Sequence, residues 1–83
     1  MAEKEIGIVS TYFKNVFVAA IKLSDKLKVG DVIHILGNTT DFKEEVREIQ
    51  VSHNKVNEAR KGDHIGIKVK DRVRPNDKIF LVR

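Results

Sequence analysis

The sequence predicts a small, closed all-β domain, and three observations carry that prediction. First, Gly30-Asp31, Gly62-Asp63 and Arg74-Pro75-Asn76-Asp77 each place a flexible or φ-fixed residue just before a β-branched run, which is how turns introduce strands. Second, His64 to Lys70 alternates cleanly, with Ile65, Ile67 and Val69 pointing one way and Gly66, Lys68 and Lys70 the other, the two-residue period of a half-buried strand. Third, 83 residues without a cysteine make one domain, residues 1–83, with a single modest core and no covalent staple.

The elements are justified in chain order. Glu3 to Phe13 reads as a strand, with Ile6 and Ile8 on one face and Gly7 and Val9 on the other. Lys14-Asn15 reads as a tight turn. Val16 to Leu23 is apolar on both faces, which suggests a strand buried on both sides or at a domain contact. Ser24-Asp25-Lys26 ends it. Asp31 to Leu36 is the third strand, with Ile33 and Ile35 on one face and His34 on the other. Lys78 to Val82 is the last, with Ile79 and Leu81 opposed to Phe80 and Val82.

Residues 40–60 admit two readings. Phe42, Val46, Ile49, His53 and Val56 fall at helical spacing, and Asp41 is a credible N-cap with Glu44 three residues on. The strand reading puts Phe42 and Val46 on one face and Ile49 and Val51 on the other, with a β-bulge near Arg47-Glu48. Asn54 to Asp63 is then a polar connection anchored by Val56 and Ala59.

In this order and spacing, the motifs resemble a known family. Gly7-Ile8-Val9, Leu27-Lys28-Val29-Gly30-Asp31-Val32-Ile33-His34-Ile35 with Gly37, Val46 to Val51, Gly62-Asp63, Ile65-Gly66-Ile67 and Val73 to Asp77 resemble the second domain of translational GTPases such as elongation factor Tu and initiation factor 2. Small stand-alone translation elongation factor-like proteins look most alike. Phe42 to Gln50 and Val73 to Asp77 are also similar to the C-terminal barrel of collagenase-like peptidase homologues. Both resemblances imply a six-stranded antiparallel Greek-key barrel, and so favour the bulged strand over the helix. They also imply structural roles for the turn residues: positive φ at Gly30 and Gly62, and Asp31 and Asp63 bonded to nearby backbone amides.

Little in the chain reads as chemistry. The phosphate loop GxxxxGK[ST] of a GTPase is missing, and Asn54-Lys55-Val56-Asn57 departs from the guanine-reading NKxD at its last residue. His34, His53 and His64 have no metal-ligand spacing, and His34 and His64 read as outward-facing strand residues. Ser10, Ser24 and Ser52 lack a nucleophile elbow, and Glu44 and Glu45 point to opposite faces of a strand. Neither catalytic residues nor a metal or other cofactor are expected, and the chain on its own is expected not to be an enzyme.

Binding is the expected class. Residues 1–59 hold eight basic and nine acidic side chains, whereas residues 60–83 hold eight basic and three acidic. Lys68, Lys70, Arg72 and Arg74 form an expected basic ridge, extended by Arg60, Lys61 and Lys78. Such a ridge suits a polyanion such as RNA; the bland reading is strand faces turned to solvent and edges kept soluble by lysine. Tyr12 and Phe13 read either as base-stacking residues at a hairpin tip or as rim and core. The leading expectation is a translation-factor-like module of protein biosynthesis, associated with tRNA, rRNA or the ribosome and lacking a GTPase domain of its own. The alternative is a protein-interaction subunit docking in trans on a larger peptidase-like or RNA-modifying enzyme, through Val16 to Leu23. A cytoplasmic monomer is expected, with neither signal peptide nor membrane span after the charged Met1-Ala2-Glu3-Lys4-Glu5; pairing of copies through a strand edge is the rival.

Overall fold

Alternating inward side chains organise the molecule. In a computed structural model describing residues 3–82, Ile33 and Ile35, Ile65, Ile67 and Val69, and Ile79 and Leu81 all turn into one core, as their spacing predicts. Met1 and Ala2 of the charged start, and Arg83 of the basic third, lie outside the described residues.

Ten strands succeed one another: β1 (Glu3–Phe13), β2 (Val18–Leu23), β3 (Leu27–Lys28), β4 (Val32–Leu36), β5 (Asp41–Glu45), β6 (Ile49–Val51), β7 (Asn54–Val56), β8 (Glu58–Ala59), β9 (His64–Lys68) and β10 (Lys78–Val82). Eight of them form one antiparallel sheet in the order β5-β4-β10-β1-β2-β9-β6-β7, and β3 pairs with β8. The all-β, antiparallel expectation holds, though the described residues form ten strands rather than six. The ladder does not run round to join β5 with β7. Instead the β3–β8 pair bridges the opening, with the Val29 amide donating to the Asn57 carbonyl (2.8 Å) and the Gly30 amide to the Val46 carbonyl (2.8 Å). The shape is barrel-like, with an incomplete seam.

Residues 40–60 are strands, without a helix among the described residues. Asp41 is no N-cap: it pairs with Leu36 in β5, and its carboxylate reaches His34. The helical spacing loses because β5 and β6 each find a sheet neighbour, β4 and β9, a tertiary choice that local pattern does not see. The ladder breaks at residues 46–48, where the bulge is expected. Val46 and Ile49, three apart, are both buried across this break. The polar connection from Asn54 is in part ordered as β7 and β8, and Ala59 is buried within it. Ser52 and His53 both carry positive φ (50° and 67°), which suits the two-residue turn that joins β6 to β7.

In β1 the sequence pattern misleads by one residue. The register slips between Glu5 and Gly7, so Ile6 and Val9 are buried while Ile8 is only half-buried. A second slip lies between Val9 and Thr11. Each bulge bends the strand and re-aims the side chains beyond it.

The three turns share one construction. In each, the amide of Asp31, Asp63 or Asp77 donates to the carbonyl three residues back, that of Lys28, Arg60 or Arg74, at 3.0–3.1 Å. The aspartate carboxylate accepts the amide of that same residue, at 2.9–3.0 Å. The residue before each aspartate has positive φ: Gly30 99°, Gly62 91°, Asn76 75°, as a type II turn requires at its third position. The third turn is tied to β1, where Val9 donates to the Asp77 carbonyl and accepts from the Asn76 amide, both at 2.8 Å. Against it packs the loop joining β4 to β5, with Gly37 beside the buried Asp77 carboxyl.

Candidate functional site

The β1–β2 hairpin departs most from expectation. Its turn is four residues, Lys14 to Phe17, rather than two, and β2 begins at Val18. Phe17 takes φ 56°, a conformation costing a bulky residue roughly 1–2 kcal/mol. It is held because its carbonyl accepts the Val69 amide at 2.8 Å. The consequence is exposure. Phe13, Val16 and Phe17 are 51%, 56% and 53% exposed, so Val16 and Phe17 belong to no doubly buried strand and Phe13 is not core. Tyr12, one residue earlier, packs half-buried against the core.

Behind the tip, the outward side chains of β2, β9 and β6 form an apolar floor. Phe13 lies opposite Val18, and Ala20 opposite Gly66, which in turn faces Gln50. With no side chain at Gly66, the floor dips into a groove of about 450 Å³. Its far wall is the β6–β7 turn, Ser52 and His53, and His64 closes one end. No carboxylate lines it. Phe13 and Val16 line this groove, and Phe17 follows Val16 in the same turn.

The expected basic ridge divides. All seven side chains, Arg60, Lys61, Lys68, Lys70, Arg72, Arg74 and Lys78, are exposed. Lys68 lies opposite Val18 at the groove, the Lys70 ammonium sits 5.9 Å from the Phe42 ring centre, and Arg72 and Arg74 line the same two hollows. Arg60 and Lys61 do not join them. Their turn is bonded to Leu23, at the far end of β2 from Val18, about 17 Å away at the rise of a strand. Lys78 reaches toward Glu5 at 3.9 Å.

One titratable cluster escapes sequence reading. On the outer face of β4, His34 lies between two carboxylates: Nδ1 is 2.8 Å from Glu3 and Nε2 is 2.6 Å from Asp41. Lys43 stands 3.8 Å from the other Glu3 oxygen. Hydrogen bonding to Asp41, then to Glu3, raises the His34 pKa above the ordinary histidine value, outweighing partial burial. Glu3 is 31 residues away, so only the fold discloses this group. His64, by contrast, faces solvent as expected. Among the described residues, no group of three or more His, Asp or Glu is arranged to hold a metal, and no helix is long and apolar enough to cross a membrane.

Comparison with known proteins adds to this geometry. The family model for elongation factor Tu domain 2 matches residues 26–73. An uncharacterized protease of Methanocaldococcus jannaschii is 42% identical over 80 residues, 95% of this chain but 20% of that protein. A collagenase of Porphyromonas gingivalis is 41% identical over 71 residues, 83% of this chain and 20% of that protein. The chain thus spans about a fifth of the length of these curated relatives. In structure it is similar to the C-terminal domain of a Geobacillus thermoleovorans protein named as a U32 peptidase. The TM-score is 0.90 with 19% identity, covering 96% of this chain and 93% of that one. These findings correct the expectation that the chain is not an enzyme: relatives sharing about two residues in five carry the names of a protease and a collagenase, and what matches this chain is one portion of each.

Proposed function

As the chain belongs to the elongation factor Tu domain 2 family, we propose that it is the docking module of a peptidase-like enzyme, seating itself in trans on the larger body that its relatives carry within one chain. The observation that carries this reading is the exposed tip of Phe13, Val16 and Phe17 beside the apolar groove. The fold itself hosts many functions, so the surface has to make the argument. Four-fifths of each curated relative lies outside the matched portion, and a module so joined needs a face for the rest. A few large side chains buried at the centre of a patch give such contacts most of their strength.

The test mixes the 83-residue chain with the M. jannaschii protease lacking its matching portion, and measures binding by calorimetry. Micromolar affinity that falls about a hundredfold or more in a Phe13→Ser, Val16→Ser, Phe17→Ser variant supports the reading, since each lost anchor is worth about 1–2 kcal/mol. No binding, or binding indifferent to the triple variant, overturns it.

A second reading has its own support. Lys68, across Val18 from the exposed Phe13, with Lys70 two residues on, suits an RNA- or ribosome-associated module of the cytoplasm, with bases on the ring and phosphates on the lysines. Retardation of tRNA that weakens with salt and with Lys68→Glu, Lys70→Glu supports it. Retardation unchanged by that pair removes it.

A further inference from the structure

A cleft separate from the groove lies between β1 and the loop that leads into β10. Lys14, Arg72 and Arg74 line it, together with Thr11 and Tyr12, over a floor that includes the buried Val73; its volume is about 330 Å³. We propose that this cleft binds a phosphate group.

Charge is the first reason. Three cations line the cleft and no carboxylate does. Among the described residues the ion pairs engage Lys4, His34, Lys43, Lys55 and Lys78, and never Lys14, Arg72 or Arg74. The carboxylate nearest in sequence, Asp71, accepts the Arg72 amide at 2.7 Å and lines the neighbouring hollow instead. Preorganisation is the second. Val73 points inward and is 2% exposed, which turns Arg72 and Arg74 outward on either side of it. The Arg74 amide is held by Asp77, and the residues after it by Val9, so little loop entropy is lost on binding. Chemistry is the third. Two guanidinium forks match the oxygens of a phosphate, and the Thr11 and Tyr12 hydroxyls add neutral donors. A carboxylate, with one charge and two oxygens, uses less of this. The cleft and the apolar groove share no lining residue, so this inference stands apart from the docking reading.

The test is an amide NMR titration of the labelled 83-residue chain at constant ionic strength, with three probes. These are inorganic phosphate, a short single-stranded oligonucleotide without terminal phosphates, and a pentaglutamate peptide. The expected result is saturable shifts with phosphate, confined to Thr11–Lys14 and Arg72–Arg74. An Arg72→Gln, Arg74→Gln variant should raise Kd about tenfold or more while keeping a dispersed spectrum, and Lys55→Gln should leave Kd unchanged. The same footprint with the oligonucleotide assigns the ligand to a nucleic acid strand. Phosphate binding without oligonucleotide binding assigns it to a small phosphorylated molecule. Shifts spread over every basic face, an indifferent double-glutamine variant, or pentaglutamate binding as tightly as phosphate would overturn the proposal.

Discussion

Replacing Gly37 with alanine tests the packing that holds the Arg72–Asp77 loop. A Cβ at Gly37 would lie 2.5 Å from the Asp77 carboxyl carbon and 3.2 Å from its second oxygen. The carboxyl is 4% exposed and bonded to the Arg74 amide at 2.9 Å. It cannot retreat without giving up that bond, because the Asp77 backbone is anchored on Val9. Losing a hydrogen bond to a charged acceptor costs about 1.5–3 kcal/mol, and crowding a packed site about 1–3 kcal/mol. Even the low ends together, about 2.5 kcal/mol, are a large part of the roughly 4–12 kcal/mol available to a chain of this length. Guanidinium unfolding should show the midpoint falling by about 1 M, for a slope near 3 kcal/mol/M. In an Asp77→Ala background the obstruction is gone, and Gly37→Ala should cost less than about 0.5 kcal/mol. An equal loss in both backgrounds, or no loss in the first, would refute the reasoning.

Other sites carry further tests. Because the folded His34 pKa is raised, its contribution is fully present below the ordinary value of about 6.5 and is lost as pH rises through the folded value. Urea unfolding of the native chain and His34→Gln should therefore differ most at pH 6 and converge toward pH 9; a gap that widens with pH contradicts this. Ile49, wholly buried beside the ladder break, should cost about 2–5 kcal/mol on change to alanine, read from the same denaturation curves. Asp63→Ala removes the acceptor for the Arg60 amide and should cost about 1 kcal/mol, with faster amide exchange at Arg60 as the local sign.

Period-two alternation with turn residues before it was legible throughout β4, β9 and β10, because there one face is wet and the other dry. It failed where a strand bends. The slip around Ile6 leaves no mark in composition, and neither does the left-handed Phe17, whose conformation is imposed by the distant Val69. Residues 40–60 carry a true helical spacing, overruled by partners on distant strands. Of the candidate site, the cations were visible as a charge excess, but their division into two ends was not, since it depends on which strand end each turn adjoins. The Glu3–His34–Asp41 group needed four strands, β5, β4, β10 and β1, to be side by side before it existed.

The thrice-used turn bears on how the chain finds its fold. Most contacts in a curled antiparallel sheet join residues far apart along the chain, and such topologies assemble slowly. A four-residue loop closed by its own aspartate needs no distant partner. Each turn can form early and set the starting residue of the strand after it, so the slow search is over which strands meet rather than over how they align. One extra uncharged residue between Gly62 and Asp63 would leave the charge unchanged yet turn β9 over, sending Ile65 and Ile67 to the outside. Lysine and arginine open these loops, and glycine or asparagine sits third. That four-letter grammar fixes where each strand begins, which no single apolar position in the core does.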